Sequence, residues 1–340
     1  MTLPTPTQTL ARGKVKLYHV PLTGYDDSHS PPPRLETSNP DAKAMVCMID
    51  RPEVKNAVDR ETASALHSAF VSFANEPSLR VGILTGAHET FCAGADLKSI
   101  LLQSSLLGST GGGGESNLLD ADMDAVAPMG VTRLAMNKPV IAAVEGFAVA
   151  GGMELTLWAD VRVASSTAQF GNLCRLRGVP LIDGGTVRLP ALIGGSRASD
   201  LVLTGRLVDA QEALSIGLVN YIVPPAGPKK GGFSTVVQKA LQIAAGLAAN
   251  PQTCMLNDRA SMLNAMHPAA EAQEMETGEA GGEVDLRLKG GLRLAMEREF
   301  QLGLQSLERL FEEGAVGAFV NRSQQQRQAD RARSSRSSNL

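Results

Sequence analysis

Three short apolar runs restrict the architecture of this chain more than any other feature. "VGILTG" (Val81 to Gly86), "PVIAAVEG" (Pro139 to Gly146) and "DVRVAS" (Asp160 to Ser165) are close to continuous rather than alternating. A strand with one face in water alternates apolar and polar residues, whereas a strand covered on both faces does not. Just ahead of the first run lies "DRETASALHSAFVSFANEP", in which Leu66, Phe70 and Phe73 share one helical face before Pro77 stops the pattern. Strands and helices therefore alternate, and the fold class read from this is α/β, with a layered and largely buried sheet.

The flanks are read from the same rules. "KVKLYHV" (Lys14 to Val20) alternates like a strand, and "AMVCMID" (Ala44 to Asp50) reads as its partner. The Pro-, Ser- and Asp-rich stretch between them reads as a long exposed hairpin loop. "LLGSTGGGGES" (Leu106 to Ser116) is a flexible insertion, either a linker or a cover over one face. From Asp209 the chain turns mainly helical, with helical periodicity in "STVVQKALQIAAGLAAN" and "LRLAMEREFQLGLQSLERLFEE". The expected organisation is a disordered N-terminus over 1–12 and a core over 13–225 with loop insertions at 21–43 and 101–118. A helical C-terminal region over 226–320 follows, then a disordered basic tail over 321–340.

Composition removes several function classes. A net charge of −3 gives no electrostatic reason for nucleic acid or an anionic membrane as partner, and 4% aromatic residues leave little for base stacking. No apolar run reaches membrane-spanning length, and the N-terminus lacks a signal-peptide core. Cys47, Cys92, Cys174 and Cys254 are scattered and the five histidines dispersed, so neither a zinc motif nor a redox pair is legible. Reduced thiols in an intracellular compartment are the expectation.

The chemistry is concentrated in two tight, small-residue turns. "FCAGADLKSI" (Phe91 to Ile100) and "GFAVAGGMEL" (Gly146 to Leu155) each carry a carboxylate beside backbone with almost no side chain. Small residues let a ligand approach peptide N–H groups closely, and the first N–H groups of a helix have no intrahelical partner. Two such donors converging on one oxygen form an oxyanion hole. Ordinary packing glycines at a helix start explain either turn alone.

Together the turns resemble the crotonase superfamily, the enoyl-CoA hydratase/isomerase family. "RPEVKNAVDRETASAL" is similar to its opening segment, "FCAGADLK" to its first oxyanion motif and "KPVIAAVEGFAVAGGMEL" to its second. "DVRVASSTAQFG" and the segment from "GGTVRLPALIG" to "IGLVN" continue in the family's order, so the likeness spans roughly residues 44 to 225. It implies a crotonase-like core of repeated ββα units in a spiral, followed by helices.

The resemblance further implies that Ala95 and Gly151 donate the two N–H groups that grip the thioester carbonyl of an acyl-CoA. Ala95, Asp96, Leu97, Lys98 and Gly151 are then the substrate-binding residues. No cofactor is implied beyond the coenzyme A of the substrate itself. Glu154 matches the first of two glutamates typical of the family's hydratases. Where the second is expected the chain reads Asn172-Leu173-Cys174, so Cys174 replaces it, as a buried small side chain or a weak donor. Asp183, just before Gly184-Gly185, stands where some branches carry a functional Asp. Glu154 and Asp183 are the expected acid–base pair; a cap on the following helix is the competing role for Asp183.

The expected function is addition of water to a trans-2-enoyl-CoA. An enoyl-CoA or dienoyl-CoA isomerase, or an acyl-CoA-binding protein that has lost turnover, are the alternatives, and Cys174 favours the last. Family members commonly form homotrimers and hexamers through C-terminal helices. The end Ser338-Asn339-Leu340 resembles a small–basic–Leu peroxisomal address with Asn in the basic place. A peroxisome or related organelle is the expectation from it, with the cytosol and mitochondrion open.

Overall fold

The computed structural model describes residues 3–25, 41–96, 119–225, 232–267 and 284–312. Most of the hairpin loop, the insertion at 101–118, Leu97, Lys98 and the tail at 321–340 lie outside the described residues. Strands β1 (Gln8–Leu10), β2 (Val15–Pro21), β3 (Lys43–Ile49), β4 (Leu79–Gly86), β5 (Val140–Val144), β7 (Val161–Ser165) and β10 (Tyr221–Val223) form one seven-stranded sheet in the order β1-β2-β3-β4-β5-β7-β10. The β1–β2 and β2–β3 pairs are antiparallel, and every later pair is parallel. The expected hairpin of Lys14–Val20 with Ala44–Asp50 is present, with Leu17 opposite Cys47. Residues 8–10, expected within a disordered N-terminus, instead extend the sheet edge beside β2.

The buried strands divide their side chains between two cores with the period of two that a pleat imposes. In β3, Met45, Cys47 and Ile49 enter one core, and Ala44, Val46 and Met48 the other. In β5, Val140, Ala142 and Val144 face the first and Ile141 and Ala143 the second. Continuous apolar runs follow from this two-sided burial.

Helix α1 (Arg60–Asn75) covers the first face. Asp59 caps it through the Thr62 N–H, and Leu66, Phe70 and Phe73 are fully buried. Each such side chain contributes about 1.5–3 kcal/mol by leaving water. Phe70 meets Phe73 and Trp158 edge-on. The second face is covered by α6 (Thr235–Ala249), whose Val236, Val237, Ala240, Leu241 and Ala244 are buried on the sheet. The expected boundary at 225 therefore does not separate a helical region from the core: α6 is one of its layers.

A second sheet, β6 (Phe147–Val149), β8 (Gln169–Gly171) and β9 (Leu207–Asp209), lies beside the first. Helices α2 (Gly151–Trp158), α3 (Gly185–Ile193), α4 (Gly195–Thr204) and α5 (Ala210–Ser215) belong to the same half of the chain. Helix α7 (Gln252–Met266) has no fully buried residue and no apolar stripe, which is why its sequence gives no helical signal. Helix α8 (Gly290–Glu312) packs on α3. Among the described residues no helix is long and apolar enough to cross a membrane.

Candidate active site

The two small-residue turns are tied together by backbone. Cys92 bridges to β6: its N–H donates to Phe147 O at 2.9 Å, and the Val149 N–H donates to Cys92 O at 3.1 Å. The chain leaving Cys92 and the chain entering α2 therefore start from one pair of hydrogen bonds. A Cβ on Gly152 would stand 2.1 Å from Cys92 O, and one on Gly94, at φ +99°, would stand 3.1 Å from Gly151 N. Glycine is required at both because no side chain fits between the two segments.

On its other side the first turn is held by Val58. The Val58 N–H donates to Gly94 O at 2.9 Å and the Asp96 N–H to Val58 O at 2.8 Å. Successive peptide groups of an extended segment point to opposite sides, so the Ala95 N–H is directed away from Val58. Among the described residues, neither the Ala95 nor the Gly151 N–H donates to a backbone carbonyl. Gly151 opens α2, where the helix dipole is partly positive. Ala150, just before it, holds φ +53° and ψ −127°, a strained conformation for a residue with a Cβ.

Both residues line one cavity of about 300 Å³. Pro128, Met129, Val149, Val179, Pro180 and Ile182 give it apolar walls, and Glu154, Cys174, Arg177 and Asp183 supply polar groups. The structure thus brings Ala95, Gly151, Glu154, Cys174 and Asp183 together. Asp96 is turned elsewhere: its carboxylate pairs with Arg51 at 3.3 Å, and Arg51 also holds Asp59 at 3.0 Å. The residues that follow Asp96 lie outside the described residues.

Glu154 lies one turn into α2 and is buried. Its Oε1 accepts the N–H groups of Asp183 and Gly185, both at 2.9 Å, while its second oxygen makes no such bond among the described residues. Burial, the Asp183 carboxyl and the Glu299 carboxyl push its pKa well above its ordinary value. Asp183 is equally buried, and its Oδ1 accepts the Met129 N–H at 3.1 Å and the Thr132 hydroxyl at 2.5 Å. Burial raises its pKa too, against the opposing pull of those two donors, Arg133 and Arg188.

Asp183 does not cap α3. The N-cap position is Gly184, and the exposed amides of that helix end are taken by two glutamates in alternation. Glu154 accepts from residues 183 and 185; Glu299, from α8, accepts from Gly184 at 2.5 Å and Thr186 at 2.7 Å. The Thr186 hydroxyl adds a third bond to Glu299 at 2.7 Å. Arg188 is buried beside them, and its guanidinium donates to the carbonyls of Asp183 at 3.0 Å and Thr132 at 2.7 Å.

Glu299 is not among the residues singled out from sequence. A signal exists: it lies on the apolar stripe of α8 with Met296, Phe300 and Gly303, where a charged residue is out of place. Cys174 sits in a short 3-10 turn, Leu173–Arg177, with its thiol in the cavity wall. Burial and the nearby Glu154 push its pKa up to about 12, so it stays a thiol at neutral pH. No group of three or more His, Cys, Asp or Glu side chains among the described residues is placed to hold a metal ion.

Comparison with known proteins supplies the family. The chain is 36% identical over 246 residues to the mevalonyl-coenzyme A hydratase of Beauveria bassiana, covering 72% of this chain and 84% of that protein. It is 41% identical over 179 residues to the carnitinyl-CoA dehydratase of Salmonella arizonae, covering 52% of this chain and only 63% of that protein. Among solved structures, a carnitinyl-CoA hydratase from Mycobacterium avium superposes with a TM-score of 0.61 at 26% identity, covering 82% of this chain and 92% of that one. An enoyl-CoA hydratase from Mycobacterium tuberculosis H37Rv gives a TM-score of 0.56 at 32% identity, over 65% and 79% of the two chains. Residues 41–281 match the sequence model described as enoyl-CoA hydratase/isomerase. With the fold and these matches in agreement, the chain belongs to the enoyl-CoA hydratase/isomerase family.

Proposed function

We propose that this protein adds water across the double bond of a trans-2-enoyl-CoA. The observation that carries the reading is the cavity itself, which gathers two backbone N–H groups that meet no backbone carbonyl among the described residues and two buried carboxyl groups within apolar walls. In this reading the amides of Ala95 and Gly151 bind the thioester oxygen and stabilise the negative charge that develops on it. Such donors are each worth about 3–4 kcal/mol of transition-state stabilisation.

The reaction divides between the carboxyls. The unbonded oxygen of Glu154 takes a proton from water as the water oxygen attacks C3. The π electrons move to C2 and the thioester oxygen, and C2 collects a proton from Asp183. The proton on Glu154 then returns to Asp183, leaving both groups as they began. Such a division needs Glu154 ionised and Asp183 protonated as the reaction starts, and the raised pKa of Asp183 supports its holding the proton that C2 collects.

The test is loss of the conjugated enoyl-thioester absorbance on mixing with crotonyl-CoA, repeated with Glu154→Gln and Asp183→Asn. The thioesters in the relatives' names, mevalonyl-CoA and carnitinyl-CoA, are assayed in parallel in the dehydration direction. Turnover by the native protein that is lost in Glu154→Gln supports the hydratase. Migration of a double bond without hydration supports an isomerase. Cys174 in the place of a second glutamate favours a different outcome, tight acyl-CoA binding without turnover, and that result overturns the proposal. Assembly into trimers or hexamers is proposed from the family likeness and is read by light scattering.

A further inference from the structure

The first turn of α3 is shared by two glutamates from distant parts of the chain. Four successive N–H groups, those of residues 183 to 186, go alternately to Glu154 and Glu299. The turn that they fix is the one that carries Asp183 into the cavity.

Helix α8 is fitted closely to this turn. A Cβ on Gly303 would stand 2.1 Å from the Ile182 side chain, and one on Gly184 would stand 2.7 Å from Met296 Sδ. Phe300 is fully buried with the Arg133 guanidinium over its ring at 4.7 Å. Glu299 therefore reaches Gly184 from a helix that also backs the cavity wall at Pro180 and Ile182.

We propose that Glu299 is a positioning residue for the reaction: from the C-terminal helix it locks the α3 turn that presents Asp183 and that binds Glu154. The inference rests on Glu154 and Asp183 being the acid–base pair. Glu299 does not line the cavity and acts only through the turn and through electrostatics.

The groups facing Glu154 are few. Asp183 and Glu299 both oppose its ionisation, and Cys174 lies near it as a neutral thiol. Arg188 faces all three carboxyls, Arg133 faces Asp183, and His267 lies near Arg188. Replacing the Glu299 carboxyl by the amide of Gln takes away one repulsion and leaves one of the two N–H groups without its oxygen acceptor at a partly positive helix end. Both changes favour ionised Glu154.

The experiment compares native protein with Glu299→Gln. Protein labelled with ¹³C at the glutamate carboxyl carbon is titrated by NMR, with the Glu154 resonance assigned by its loss in Glu154→Gln. The Glu154 midpoint is expected to move to lower pH in Glu299→Gln. With crotonyl-CoA, kcat is expected to fall by about 100-fold, the scale of a misplaced catalytic group, while KM changes little. A folded Glu299→Gln with an unmoved Glu154 midpoint and unchanged kcat overturns the proposal. Should that variant not fold, Thr186→Ala removes one of the three donors to Glu299 and leaves the carboxylate in place. A several-fold fall in kcat at constant KM is then expected, and unchanged kcat overturns the proposal. If the native protein hydrates no enoyl thioester, the hydratase reading fails, while the NMR midpoint still decides whether Glu299 governs Glu154.

Discussion

The Asp183 N–H donates to Oε1 of Glu154 at 2.9 Å, so the residue that carries one cavity carboxyl fixes the orientation of the other. Glu154 thereby has one oxygen committed to backbone, while the other makes no hydrogen bond among the described residues. The Asp183 side chain is in turn held by Met129 and Thr132 rather than by its own helix.

The first prediction concerns pH. The proposed hydration needs Glu154 ionised, and its pKa lies well above the ordinary value, chiefly through burial. Activity is expected to fall on acidification with a midpoint above that of an ordinary glutamate, measured as kcat/KM for crotonyl-CoA against pH. A limb at or below the ordinary glutamate value contradicts the assignment.

Stability should run against activity at the same residue. A carboxyl whose pKa is raised by folding contributes stability below its unfolded pKa and loses it as pH rises toward the folded value. Glu154→Gln cannot ionise, so it is expected to be more stable than the native protein at neutral pH, with the difference vanishing below the ordinary pKa of glutamate. A gain on the order of 1 kcal/mol, or a few degrees in Tm, is expected, and thermal melts at two pH values check both halves of the statement.

Ala150 holds φ +53° immediately before the α2 amide end. Gly adopts that region without strain, so Ala150→Gly is expected to stabilise the fold by about 1 kcal/mol. Denaturant unfolding measures it. A loss of stability would show that the Ala150 methyl group contributes more by packing than its backbone costs.

Gly152 gives the opposite case. Its Cβ would overlap the Cys92 carbonyl, so Gly152→Ala must push the two turns apart. The expected loss is about 1–3 kcal/mol in stability, with weaker binding of acyl-CoA measured by calorimetry. Binding equal to that of the native protein would mean that the turns do not jointly hold the thioester.

Cys174 is expected to behave as a wall of the cavity. Its thiol is buried with a pKa pushed up to about 12, whereas Cys254 is exposed. Iodoacetamide at neutral pH should label Cys254 first and Cys174 slowly, read by peptide mass spectrometry. Cys174→Ala should keep turnover near the native rate; a loss comparable to that of Glu154→Gln would give the thiol a chemical part.

The amino-acid order alone determined the buried strands, since two covered faces demand uninterrupted apolar residues, and β4, β5 and β7 appear where those runs stand. It also determined helix α1, through the Leu66–Phe70–Phe73 face and the stop at Pro77. The small-residue turns were legible because close backbone approach excludes side chains, a constraint written directly in residue type. The edge strand β1 and helix α7 were not, because three residues of pairing and a stripe-free helix leave no periodic signal.

What only the tertiary structure decided is which groups meet. Asp183 as cap and Asp183 as cavity carboxyl are equally compatible with the sequence around it. The choice fell to Met129 and Thr132, more than fifty residues away, and to two glutamates that occupied the helix end instead. Glu299 lies 113 residues beyond Thr186, and no local pattern encodes that pairing. Periodicity and turn chemistry act over a few residues, so they are readable along the chain; burial and charge coupling act through space, and exist only once the chain has closed on itself.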